Sequence, residues 1–175
     1  HNPMMHGPFQ FYGESLAFIL LGDSETTARL LYALFGAILV GLPWFLRDYL
    51  GRTGCFVSSL LLAFSPTLIY FSRFARNDIL MGVWIFGIII CVWKFIQLGR
   101  PKYLYLLSAL LAVSLATKET IFLTTSVIAF CLIFLALVKQ NSVSILRLGH
   151  QTLLSLLLVI STLMLPQILP LTGII

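Results

Sequence analysis

Six apolar runs, at about residues 29–46, 55–71, 79–96, 103–117, 120–138 and 152–169, follow one another with only short polar breaks. Each is roughly 15–19 residues long, close to the ~20 that a helix needs to cross ~30 Å of hydrocarbon. A run that is apolar on every face leaves no side for water. Barrel strands alternate in character and these runs do not, so strands are disfavoured. The expected fold is therefore all-α, a polytopic transmembrane bundle of about six spans. The whole of 1–175 reads as one membrane domain, with 1–28 an extracytoplasmic loop and interfacial helix and 29–175 the spans.

Composition agrees. Only 10% of residues are charged while 59% are hydrophobic, against about 25% charged in a soluble domain. The net charge of +5 is scattered singly between apolar runs, which sets topology and does not build a phosphate-backbone patch. Nucleic acid is thus not an expected partner, and the bilayer is. Cys55, Cys91 and Cys131 each lie inside an apolar run without a C-x-x-C pair or a neighbouring histidine. They read as small packing residues. The chain opens His1-Asn2-Pro3 without a signal peptide and ends inside an apolar segment, Leu165 to Ile175, so an internal piece of a longer protein is expected.

Orientation follows from loop charge. If 47–52 is cytoplasmic, so are 94–102 and 139–150, and these carry seven basic residues (Arg47, Arg52, Lys94, Arg100, Lys102, Lys139, Arg147) against Asp48. The other side carries four (Arg29, Arg73, Arg76, Lys118) against Glu14, Asp23, Glu25, Asp78 and Glu119. Basic residues concentrate on the cytoplasmic side, which places 72–78 and 117–120 outside. Residues 9–21 are short for a span. Gln10, Gly13, Glu14 and Ala17 share one helical face and Phe9, Tyr12, Leu16 and Ile19 another, so a helix lying in the extracytoplasmic interface is expected. A turn at Gly22-Asp23-Ser24 follows, with Glu25 four residues before Arg29.

The residues able to carry chemistry lie on that outer face. Ser72-Arg73-Phe74-Ala75-Arg76-Asn77-Asp78 stands between two apolar runs, and charges at such a place are costly enough to suggest function. Asp78 opens a span and could equally be its N-cap. Arg73 and Arg76 could be snorkelling anchors, or two guanidiniums for a phosphate or pyrophosphate headgroup. Lys118-Glu119 interrupts a long apolar stretch, either as an exposed hairpin turn or as a lysine reaching an anionic group. His6, before the interfacial helix, is a weaker candidate. No zinc spacing, P-loop or dinucleotide fingerprint is present in the sequence.

Four stretches together resemble the GT-C superfamily of polytopic glycosyltransferases. They are His6-Gly7-Pro8-Phe9, the run Leu21-Gly22-Asp23-Ser24-Glu25 with Ala28-Arg29-Leu30, the segment Ser65-Pro66 leading into Arg73 to Asp78, and Ala116-Thr117-Lys118-Glu119-Thr120. Within the superfamily the chain is similar to the protein-mannosyltransferase-like and aminoarabinose-transferase-like enzymes. Its nearest likeness is to a prokaryotic group of flippase-activity-associated proteins of archaeal N-glycosylation. The resemblance covers about residues 2–138 and rests on the order and spacing of short motifs.

The resemblance implies a sugar carried on a polyprenyl phosphate, transferred to a protein, lipid or glycan acceptor on the extracytoplasmic face of a prokaryotic cell membrane. It implies that Asp78 is catalytic, positioning the acceptor or a divalent metal, and that Arg73 and Arg76 hold the donor phosphate. His6 would match a His-Pro-Pro-like stretch of the family, and Lys118, with Glu119 beside it, would approach the lipid phosphate. The family's first span and its acidic residue would lie upstream of His1, so the expected activity belongs to a longer protein. The chemistry is coherent by itself: fixed cations stabilise the charge that develops on a leaving phosphate. A carboxylate then accepts the acceptor's proton or holds a metal that promotes its loss. Two other classes remain open from sequence, a flippase or transporter of lipid-linked sugars and a non-catalytic membrane subunit.

Overall fold

The computed structural model describes residues 7–74, 76–118, 120–139 and 154–162, with side chains described up to 134 in the third segment. Among the described residues the protein is helical and holds no strand. The helices are α1 (Pro8–Leu21), α2 (Glu25–Gly41), α3 (Arg47–Phe64), α4 (Pro66–Arg73), α5 (Asn77–Leu98), α6 (Pro101–Thr117) and α7 (Ile121–Lys139), with a 3₁₀ segment Leu42–Leu46 between α2 and α3. Residues 154–162 form a further helical stretch. Two helical stretches, Glu25–Phe64 and Asn77–Leu98, are long and apolar enough to cross a membrane, and Pro101–Thr117 and Ile121–Phe134 are shorter apolar helices.

The boundaries follow local chemistry. Proline occupies the first turn of α1, α4 and α6, where its missing N–H costs nothing. Ser24 caps α2, its Oγ accepting from the Thr27 N–H at 3.1 Å, and the expected Glu25–Arg29 ion pair forms on the same first turn.

The run at 55–71, expected as one span, is divided. Ser65 is extended (φ −65°, ψ 118°) and Pro66 opens a new helix, because the residue before a proline is pushed out of the α region. The segment 47–52, expected as a loop, is largely helical and turns at Gly51, whose φ of 70° suits a residue without a Cβ.

The outcome at 9–21 is also instructive. A helix forms there, yet its polar side faces inward. Gln10 is buried, and its amide donates to the Tyr32 hydroxyl at 2.7 Å and to Glu14 at 3.1 Å. Tyr12, Leu16 and Ile19 point outward and are exposed. These hydrogen bonds satisfy the Gln10 N–H donors, which lipid would leave bare, while its Oε1 is buried without a partner among the described residues.

Helix α5 is the centre of the bundle. Ile79, Leu80 and Val83 pack with Tyr32 and Leu39 of α2, while Ile88, Cys91, Phe95 and Ile96 pack with Leu107 and Leu111 of α6. Trp84 touches both clusters and meets Phe9 and Phe35 edge-on, with centroids at 5.5 and 5.3 Å. Edge-to-face rings of this kind add to their area burial, and they fix α1, α2 and α5 against one another near the first turns of α5.

Candidate functional site

Three of the sequence-predicted residues meet at the first turn of α5. Asp78 Oδ1 accepts from Lys118 Nζ at 2.9 Å, and Asp78 Oδ2 lies 3.1 Å from Arg76 Nε. Lys118 arrives from the end of α6, forty positions away in sequence. Asp78 and Lys118 are 28% and 32% exposed and Arg76 is 59% exposed, so the lysine is the more sheltered partner. The Arg76 guanidinium also lies over the Phe71 ring, 5.9 Å from its centroid. Capping is not what the Asp78 side chain does: the N-cap position of α5 is Arg76, and no side-chain cap forms there.

Beneath the charges lies a buried polar junction that sequence patterns did not single out. The Thr117 carbonyl accepts from the Gly7 N–H at 3.2 Å and from the Asn77 amide at 3.4 Å. The Thr117 hydroxyl accepts from Trp84 Nε1 at 3.2 Å and donates to the Val113 carbonyl. Thr117 and Asn77 are buried, at 0% and 6% exposure. Asn77 Oδ1 is buried without a hydrogen-bond partner among the described residues, a cost of a kind found at functional sites. Gly7 must be glycine for lack of room, since a Cβ there would sit 2.0 Å from the Ala116 carbonyl oxygen. The only sequence signal for this junction was adjacency: Asn77 precedes Asp78, Thr117 precedes Lys118 and Gly7 follows His6. By gathering α1, α5 and α6 at one residue, the junction holds Lys118 against Asp78.

Arg73 ends α4, is exposed and makes no ion pair among the described residues. His6 and Glu119 lie outside the described residues. The expected convergence is thus seen for Asp78, Arg76 and Lys118. The described side chains do not by themselves make a set of ligands for a divalent metal. Asp78 is a single carboxylate with both oxygens already bonded to cations, and no cluster of three metal-ligating side chains occurs among the described residues. Metal sites of the hard-cation kind need several oxygen ligands.

Two cations paired with one carboxylate leave a net positive charge at the first turn of α5, a chemistry suited to an anionic group bearing several acceptor oxygens. Apolar helices with exposed outer faces, among them Phe56, Leu61 and Phe64 of α3, with two stretches long and apolar enough to cross a membrane, fit a helical membrane protein that carries a charged cluster at one end of α5. Residues 5–166 match the model of the dolichyl-phosphate-mannose-protein mannosyltransferase family, and the chain belongs to that family. It is in this sense a membrane glycosyltransferase of the GT-C type. No curated protein and no solved structure matches it.

Proposed function

We propose that the protein transfers a sugar from a polyprenyl-phosphate donor to an acceptor hydroxyl on the extracytoplasmic face of a prokaryotic cell membrane. The observation that carries the proposal is Asp78 held between Lys118 and Arg76 at the end of a membrane-length helix, in a member of a mannosyltransferase family. Lys118, Arg76 and Arg73 bind the donor phosphate, the guanidiniums by paired N–H donors. The acceptor oxygen attacks the anomeric carbon, and the bond from that carbon to the phosphate oxygen breaks with its electron pair left on the phosphate. The cations stabilise that developing charge where water is scarce. As the phosphate draws Lys118 and Arg76 toward itself, Asp78 is freed to accept the acceptor's proton. His6 and Glu119, next in sequence to Gly7 and Lys118, are the remaining candidates for contact with the donor.

In this proposal the chain spans the membrane about six times. Helix α1 lies at the outer boundary, its start tied to the site by the Gly7–Thr117 hydrogen bond and its apolar side turned to lipid. Charge asymmetry supports the orientation. Cysteines introduced at 76 and 118 should react with an impermeant maleimide added to intact cells, and one at 102 should not. Position 77 is a poor probe because Asn77 is 6% exposed. Labelling at 102 alone would reverse the topology.

Activity is tested in the full-length protein reconstituted with a polyprenyl-phosphate sugar. Asp78→Asn should lower transfer by about 100-fold or more, the scale of a lost general base. Arg76→Ala should mainly raise the KM for donor, because it removes binding shared by ground and transition states. Wild-type transfer by a folded Asp78→Asn protein would overturn the proposal. Movement of lipid-linked sugar across the bilayer without any transfer would point to a flippase.

A further inference from the structure

At the other end of α5 a cavity of about 230 Å³ opens between the α2–α3 connection and the last turns of α5, lined by Trp44, Phe45, Arg47, Asp48 and Lys94. Local structure explains its position. The chain turns at Gly51 (φ 70°), and Cys55 Sγ, donating to the buried Pro43 carbonyl at 3.1 Å, ties the helix beyond the turn to the 3₁₀ segment before it. Tyr49 then packs edge-on to Trp93 with centroids 5.8 Å apart, joining α3 to α5 beside the opening. Lys94 lies about 24 Å along α5 from Asp78, from the rise of about 1.5 Å per residue.

The lining combines two chemistries. Lys94 is half-buried and makes no ion pair among the described residues. Arg47 is 56% exposed, meets the adjacent Asp48 only at 3.7 Å and lies over the Trp44 ring at 5.5 Å. Trp44 and Phe45 themselves are more than half exposed, at 54% and 57%. Two cations against one carboxylate favour an anion. Exposed rings beside them favour something with an apolar body, and Trp is the residue that membrane–water interfaces enrich. Basic pockets between helices on the cytoplasmic side accept anionic lipid head groups.

We propose that this cavity binds the headgroup of an anionic phospholipid from the leaflet opposite the Asp78 site. The phosphate sits between Arg47 and Lys94, and the glycerol and first acyl carbons lie on Trp44 and Phe45. A free phosphate ion would use the cations and leave the rings bare, so the lipid is the occupant the lining favours. The inference concerns the far end of the bundle and does not depend on sugar transfer.

The test uses the intact protein in phosphatidylcholine vesicles, with brominated phosphatidylglycerol or brominated phosphatidylcholine as quencher of Trp44 and Trp93 fluorescence. Wild type should favour phosphatidylglycerol. Lys94→Gln and Arg47→Gln should each weaken that preference about fivefold, the worth of one basic residue at a membrane surface. Quenching by phosphatidylcholine should stay unchanged, which also reports that the fold survives. Asp48→Asn, an exposed conservative change, should strengthen the preference, and supplies the test if the other variants do not fold. Arg100→Gln and Lys102→Gln, basic losses outside the cavity, should have much smaller effects. Equal effects from these two would reduce the site to a diffuse positive face and overturn the proposal. So would an Asp48→Asn protein with unchanged or weaker preference. Competition by inorganic phosphate at matched ionic strength, as effective as by the lipid, would assign the cavity to a free anion instead.

Discussion

At its first turn α5 carries Asp78, whose two oxygens are taken up by Lys118 and Arg76 over a buried junction of Thr117, Asn77, Gly7 and Trp84. Near its last turn the same helix carries Lys94, which faces an open cavity with exposed rings. One end is locked by hydrogen bonds from three helices, and the other is shaped chiefly by a bend in the chain. Residues that must hold charges to fractions of an ångström belong on a supported platform. A headgroup site at a membrane boundary tolerates looser walls, because lipid itself fills the remainder. The rigid end is where chemistry is expected and the open end where binding is.

The contrast is sharpest in activity. Asp78→Asn should lower transfer by about 100-fold or more, while Lys94→Gln in the same reconstituted protein should change the rate by less than about twofold, since it removes an interaction about 24 Å from the reacting atoms. Loss of transfer in both variants would mean that the two ends are coupled.

Stability should discriminate next. Gly7→Ala drives a Cβ into the Ala116 carbonyl at 2.0 Å, and should cost about 1–3 kcal/mol, the range for overpacking a tight contact. Thermal unfolding in detergent would register it, and an unchanged Tm would show that the start of α1 is free to move aside. A smaller loss is expected for Thr117→Val, which keeps the shape but leaves the Trp84 N–H without its acceptor. About 1 kcal/mol is the expected cost of leaving that part-buried donor unpaired. The accompanying readout is an increase in Lys118 mobility, seen as faster modification of its amine.

The smallest effect separates the two cations. A double-mutant cycle on Asp78 and Lys118 should give a coupling near 1 kcal/mol, and one on Asp78 and Arg76 only a few tenths, since the arginine is 59% exposed and its pair is screened. Equal couplings would mean that solvent reaches both partners alike.

Much of this was legible in the chain. Helix in place of strand, the positions of most apolar runs, and the candidacy of Asp78, Arg76 and Lys118 followed from periodicity and from isolated charges in an apolar sequence. The division at Ser65-Pro66 was visible as a proline, but the length of the run concealed it. The inward turn of Gln10 and Glu14 could not be read from spacing. Amphipathic spacing shows that a helix has two faces, and only a partner such as Tyr32 decides which face is covered.

The sequence by itself pointed to helices: runs that are apolar on every face satisfy their backbone groups internally only when they are helical, whatever their order of packing. Tertiary structure decided which charges meet. Lys118 is forty positions from Asp78, and no periodicity connects residues across that distance. What joins them is the Thr117 carbonyl, which gathers an amide from α5 and a backbone N–H at the start of α1. The same holds for Lys94 and Arg47, which share a cavity because the α2–α3 connection lies beside the last turns of α5. Local chemistry is written along the chain, whereas a site needs groups brought together from distant segments, and packing alone makes that choice.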